Sequence, residues 1–195
     1  MGLVTTSPLV KRYTLEEFWE LEPPGRGGHY ELIAGVLYMV PPPVEWHDMV
    51  VSCLIELLVA FLLSHPGLGR AFVPRAAIWR EAHHSYLEPD LMFVSEETQV
   101  RIRGGARSTA DLVFEVLSEA TATYDRLTKA DTYAALGIRE LWLVDLRTHT
   151  IEQRVLEGER WRIVGTFGAG QTVRSQVLPS FEVSVSAVFE GIPRQ

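Results

Sequence analysis

Two short runs constrain this chain most. LVFEVL (112–117) and ELWLVD (140–145) are almost unbroken in apolar character, and the segment between them, TYDRLTKADTYAALG, has helical spacing and ends on Gly137. Runs of this length without polar alternation are read as strands covered on both faces, the situation of central strands in a layered sheet. A glycine just past a helical pattern is a stop signal. The centre of the fold is therefore expected to be a strand–helix–strand unit in an α/β or α+β arrangement with a mixed sheet flanked by helices.

The other elements are built around that unit. YTLEEFWELEP places Thr14 three residues before Glu17, a capping-box pattern opening a short helix that Pro23 and Pro24 end. HYELIAGVLYMV alternates around Gly35 and reads as a hairpin stopped by prolines 41–43. From His47 to about Ser64, Val50, Leu54, Leu57, Leu58 and Phe61 recur at helical spacing and mark the main core helix. GRAFVPRAAIWR, LEPDLMFV and DLVFEVLS are read as successive strands. IEQRVLEGERWRIVGTF and TVRSQVLPSFEVSV are read as C-terminal hairpin structure, with a last helical turn at SAVF. No repeat or Ser/Gly linker divides the 195 residues, so one domain, 1–195, is expected.

A hydrophobic share of 47% against 22% charged residues belongs to an ordered globular chain. The single cysteine, Cys53, excludes an internal disulfide framework and suits a reducing, cytoplasmic setting. The N-terminal residues lack the pattern of a secretory signal. The longest apolar run, MVVSCLIELLVAFLL, contains Glu56 and falls short of the ~20 residues of a bilayer span, so none is expected. A net charge of -7 argues against a nucleic-acid coating protein. A local basic patch stays open at Arg101, Arg103 and Arg107, as phosphate contacts or as a solvated loop.

Glu115 is an ionisable group inside one of the central strands. Alternation puts it on the face of Val113 and Leu117, opposite Leu112, Phe114 and Val116. A carboxylate there must keep its proton, find a cation or bind a metal, unless the strand lies at an edge with the head in water. Asp90 opens the LMFV strand. If the two strands are neighbours, Asp90 and Glu115 can converge on one hard cation, Mg2+ or Mn2+; alone, Asp90 fits a turn equally well. Lys129 lies on the following helix with Tyr133 one turn on. That face can return over the strand to polarise water or stabilise phosphorane charge, or Lys129 can simply pair with Asp125 four residues earlier.

The runs PDLMFV, DLVFEVLSEATATYDRLTKADTYAALGIRELWLVD and YELIAGVLYMVPPP resemble the DUF820-type family of putative restriction endonucleases, in the PD-(D/E)XK nuclease superfamily. The resemblance runs from about Tyr13 to Phe189 and implies a restriction-endonuclease-like core with an additional N-terminal hairpin and a C-terminal β-hairpin. In the superfamily an Asp and a Glu on adjacent strands bind the metal, and a lysine stands two residues after the Glu; here that position is Leu117. Members of this branch carry the lysine on the next helix, which matches Lys129, and their early glutamate matches Glu31. The resemblance thus implies Asp90 and Glu115 as ligands of Mg2+ or Mn2+, Glu31 as a further acidic ligand or water orienter, and Lys129 as general base or charge stabiliser. It implies DNA endonuclease activity. The alternative is a catalytically weak binding or regulatory module on the same fold. Cutting both strands of a duplex calls for two active sites, so a two-fold homodimer or higher homo-oligomer is expected. The family's Pro before the second Asp and its Ser-Pro-Ser after the strand are replaced here by Ala110 and by SEAT, changes that remove no expected ligand.

Other candidates are weaker. His83 and His84 are adjacent in a polar segment and point apart in an extended chain. His47 matches a family histidine, but helix capping or loop packing explains it as well. Ser118 lacks a G-x-S-x-G elbow and suits N-capping, as does Thr121. PGRGG and RIRGGA lack the P-loop pattern. Asp111 is read as a strand-entry residue and Trp142 as core.

Overall fold

The computed structural model describes residues 10–25, 27–101 and 107–193. Helix α1 (Leu15–Trp19) starts at the expected capping box: Thr14 Oγ1 accepts the Glu17 N–H and the Glu17 carboxylate accepts the Thr14 N–H. Strands β1 (His29–Ile33) and β2 (Val36–Val40) form the first hairpin. Ala34 and Gly35 both adopt positive φ, 48° and 80°, as a two-residue turn between twisted strands requires. Helix α2 (Glu45–Ser64) follows. Then come β3 (Gly69–Phe72), β4 (Ile78–Arg80), β5 (Ser85–Leu87), β6 (Leu91–Ser95), helix α3 (Glu96–Arg101) and β7 (Leu112–Leu117).

The next helical stretch is α4 (Ala122–Tyr124), a π-helical turn over Asp125–Lys129, and α5 (Ala130–Ala135). Gly137, at φ 78°, turns the chain into β8 (Glu140–Asp145). Strands β9 (Thr150–Glu157) and β10 (Arg160–Phe167) form a long hairpin, β11 (Thr172–Arg174) and β12 (Glu182–Ser184) a short one, and α6 (Val185–Val188) is the last helix.

The main sheet has the order β10-β9-β8-β7-β6-β3, and β7 with β8 is its parallel pair, so it is mixed as expected. A second sheet, β2-β1-β5-β4, is antiparallel. Alternation along β7 divides the core. Leu112, Phe114 and Val116 pack with Val50, Leu54 and Leu58 of α2 and with Phe181 and Val183 of the C-terminal hairpin. Val113 and Leu117 face Ala130, Tyr133 and Leu136, with Ile33, Ile78 and Leu87 from the second sheet. Glu115 shares that second face. Both faces of β7 are covered, which explains its nearly unbroken apolar run.

One expectation changes. GRAFVPRAAIWR is two strands: β3 pairs with β6 in the main sheet and β4 with β5 in the second. Pro74 has no N–H to donate and Arg75 adopts φ 73°, so the ladder cannot pass through them. Helix α2 is long and apolar enough, by length and composition only, to cross a membrane, a test that core helices also pass. In this fold Val50, Val51, Leu54 and Leu58 are buried against the sheet.

Candidate active site

Strand β6 runs antiparallel to β7 with Leu91 opposite Phe114, so the residue before β6, Asp90, arrives beside Glu115. The Val116 N–H donates to Asp90 Oδ2 at 2.7 Å and fixes the carboxylate there. Helix residues 122–135 lie over the same face. Lys129 Nζ is 2.9 Å from Glu115 Oε1, 3.2 Å from Glu31 Oε1 and 3.9 Å from Asp125 Oδ1. The ordinary Asp125–Lys129 helix pair is thus part of a larger cluster. Tyr133 donates to Glu115 Oε1. All four residues singled out in the sequence, Glu31, Asp90, Glu115 and Lys129, come together, although Leu117 is buried core and carries no lysine.

Their states differ. Glu31 is fully buried; its Oε1 accepts the Glu88 N–H at 2.8 Å and its Oε2 the Tyr124 hydroxyl at 2.8 Å. Asp90 keeps 20% side-chain exposure at the cleft. Burial pushes its carboxyl up, but the bond from His47, the Lys129 charge and the Val116 N–H outweigh that and hold it below the ordinary value. Glu115 moves the other way: burial raises it well above the ordinary value, Lys129 opposes, and the Asp90, Asp125 and Glu31 carboxylates add to the rise. Burial alone would lower Lys129, but Glu115 and Glu31 hold the ammonium well above its ordinary value.

Four carboxyl groups therefore surround one ammonium, and the imbalance is stored in Glu115 and Asp125. Burial pushes Asp125 up to about 6 against the pull of Lys129. An unfolded aspartate loses its proton near pH 4. Between about pH 4 and about 6 the folded state thus holds a proton the unfolded state has lost, and stability falls as pH rises. In metal-free protein the stability advantage of Asp125→Asn over wild type, read from melting curves, should be small near pH 4, grow to about pH 6 and then level, reaching on the order of 2–3 kcal/mol. A difference constant across that range, in melts with chelator, contradicts this. Glu115→Gln should likewise raise the metal-free Tm at neutral pH, because it replaces a carboxyl whose charged form is disfavoured by burial and by the Asp90, Asp125 and Glu31 carboxylates. A lower Tm would show that the Lys129 pair outweighs desolvation.

The cluster opens into a cleft of about 1020 Å³ lined by Pro41, Pro42, Pro43, Trp46, His47, Arg75, Glu88, Asp90, Glu115 and Lys129 among others. His47 is the third residue of α2 and does not cap it; Val44 holds the cap position. His47 Nε2 is 3.3 Å from Asp90 Oδ2 and Nδ1 is 3.3 Å from Asp48 Oδ1. Burial lowers His47, but Asp90 and Asp48 outweigh it and leave it above its ordinary value. Sequence reasoning undervalued this residue; its place just after the three prolines was the available signal. Tyr124 was missed because nothing local ties it to a glutamate 93 residues away.

The remaining candidates lie elsewhere. Asp111 accepts Ser95 N–H, Thr98 Oγ1–H and Arg139 Nη1–H and is structural. Ser118 Oγ accepts the Thr121 N–H at the turn into the helix. Trp142 is fully buried. His83 and His84 do not line the cleft. Arg107 donates to the Ala77 carbonyl at 3.0 Å and stacks over Phe72, Arg101 closes α3, and Arg103 lies outside the described residues.

Donors suited to a hard cation are present. Asp90 spends Oδ2 on Val116 and His47, and Glu115 spends Oε1 on Lys129 and Tyr133, leaving Asp90 Oδ1 and Glu115 Oε2 without partners among the described residues. Among the described residues no group of three His, Cys, Asp or Glu side chains forms a ready-made metal cage. Two carboxylates with surplus negative charge fit Mg2+, which takes one or two carboxylates and fills its other positions with water and phosphate.

The mixed sheet flanked by helices is a nuclease-like α+β fold, and paired carboxylates and a lysine meet at one of its clefts. The chain matches the family model Uma2, described as putative restriction endonuclease, over residues 15–186, and it belongs to that family. The fold resembles the crystal structure of a putative nuclease belonging to DUF820 from Anabaena variabilis ATCC 29413, with a TM-score of 0.74 at 17% identity, covering 93% of this chain and 99% of that one. The search of curated proteins finds no match.

Proposed function

We propose that the chain is a metal-dependent phosphodiesterase acting on DNA, with Asp90 and Glu115 holding Mg2+ or Mn2+. The observation that supports this reading is the pair of unpartnered carboxylate oxygens beside a buried ammonium in an open cleft, in a family described as putative restriction endonuclease. When bound, the cation would supply Lewis-acid polarisation of the phosphodiester and activation of water for in-line attack.

The protein groups have separable tasks. Val116 N–H and His47 fix Asp90 through one oxygen and aim the other into the cleft. Tyr133 and Lys129 do the same for Glu115. Glu31 holds Lys129 rather than the cation, since protein donors occupy both of its oxygens. Kept protonated by its neighbours, Lys129 serves as charge stabiliser rather than general base. A two-fold homodimer would supply the second active site needed to cut both strands, in a cytoplasmic setting.

The test is nicking of supercoiled plasmid by purified protein with Mg2+ or Mn2+, against Asp90→Ala and Glu115→Ala. Wild type should nick only with metal and both variants should lose at least about a hundredfold, a few kcal/mol of transition-state stabilisation. Cleavage persisting in both variants contradicts the site; none by wild type in either metal contradicts the activity.

A further inference from the structure

We propose that Arg75 is a phosphate-binding residue of this cleft, holding a nucleic-acid phosphodiester opposite the carboxylate cluster; this rests on the phosphodiesterase reading above. Arg75 lines the same cleft as Asp90, Glu115 and Lys129. Lys129 is 5% exposed and committed to carboxylates, so it can offset charge at the reacting phosphate from within the cluster but does not extend to grip the rest of the backbone. The Arg75 side chain is 66% exposed and leans on Glu88 Oε2 at 3.1 Å. Among the described residues Arg75 is therefore the cleft-lining cation with its charge open to solvent.

Its backbone gives a second, independent observation. Arg75 stands at φ 73°, a conformation that suits glycine and disfavours a side chain with a Cβ. A long cation at a position where glycine is easier fits a functional use, because strained residues concentrate at functional sites. The turn also carries the chain from the main sheet to the second sheet, so it places Arg75 at the rim where both meet the cleft. Glu88 holds the guanidinium at that rim until a phosphate competes for it, and a planar guanidinium matches phosphate oxygens with two parallel hydrogen bonds.

The experiment measures binding of a short fluorescein-labelled oligonucleotide by fluorescence anisotropy, with Ca2+ replacing Mg2+, across a salt series and alongside melting curves. Arg75→Gly should bind about tenfold more weakly near ~0.1 M salt and lose about one unit of salt slope. Its Tm should equal or exceed that of wild type, since glycine relieves the turn. Arg75→Lys should keep the slope. Unchanged affinity and slope in Arg75→Gly, or no binding by wild type, overturns the proposal. A fall in Tm of Arg75→Gly with binding intact makes Arg75–Glu88 a structural pair and also overturns it. If wild type nicks plasmid while Arg75→Gly binds normally, only this inference fails. If wild type binds through Arg75 yet cleaves nothing, the phosphate contact stands and the hydrolytic reading fails.

Discussion

Lys129→Ala should cost about 3–5 kcal/mol, the range expected when one partner of a buried ion cluster is removed, and should abolish metal-dependent nicking. The ammonium sits between Glu115 Oε1 and Glu31 Oε1, with Asp125 at 3.9 Å. Without it three buried carboxylates face one another with no cation. They then take up protons or admit water, and each course disorders the face that aims Glu115 at the cleft. Lys129→Met keeps much of the volume and separates packing from charge. If charge is decisive, Met and Ala should destabilise alike, by about 10 °C or more for a domain of this size. In either variant Mg2+ should recover part of the lost Tm, because the cation takes over part of the neutralisation. A variant with wild-type Tm and activity would show that Lys129 is only a surface-type helix pair.

Glu140→Ala should destabilise by a similar amount with a different signature. Glu140 is fully buried at the start of β8 and accepts five donors: Trp142 Nε1 and Gln153 Nε2 at 2.6 Å, Ser175 Oγ at 2.8 Å, and the Gln176 and Val177 N–H groups at 2.9 and 3.0 Å. This one carboxylate fastens the segment between β11 and β12 to the main sheet. Its loss strands several buried donors, at about 1–3 kcal/mol for each group left unsatisfied. The total is expected to exceed about 3 kcal/mol, as in other broken buried networks. Since the C-terminal hairpin packs Phe181 and Val183 on the face away from Glu115, residual folded protein should still nick DNA. Loss of activity in excess of the loss of folded protein would couple this clamp to the site.

The contrast between the two residues shows what the sequence makes legible. Glu115 announces itself because a charge inside LVFEVL has no solvent to face. Lys129 is visible because its spacing to Asp125 and Tyr133 is helical. The family resemblance brought in Glu31, whose partners Glu88, Tyr124 and Lys129 lie far along the chain. Glu140 reads as an ordinary strand start, because the five donors that justify its burial come from separate segments. The π-helical turn at Asp125–Lys129 is invisible in the same way, because its residues suit an α-helix equally well. The split of GRAFVPRAAIWR between two sheets turns on Pro74, which the sequence shows, and on the positive φ of Arg75, which it does not.

The central claim is that Asp90 and Glu115 hold a hard divalent cation between them. Calorimetric titration of Mn2+ into wild type and Glu115→Gln tests it most directly, since that variant is expected to stay folded and needs no substrate. The account predicts saturable binding by wild type with a rise in Tm, and loss of both in Glu115→Gln despite its higher metal-free Tm. Equal Mn2+ binding by the two proteins would contradict it.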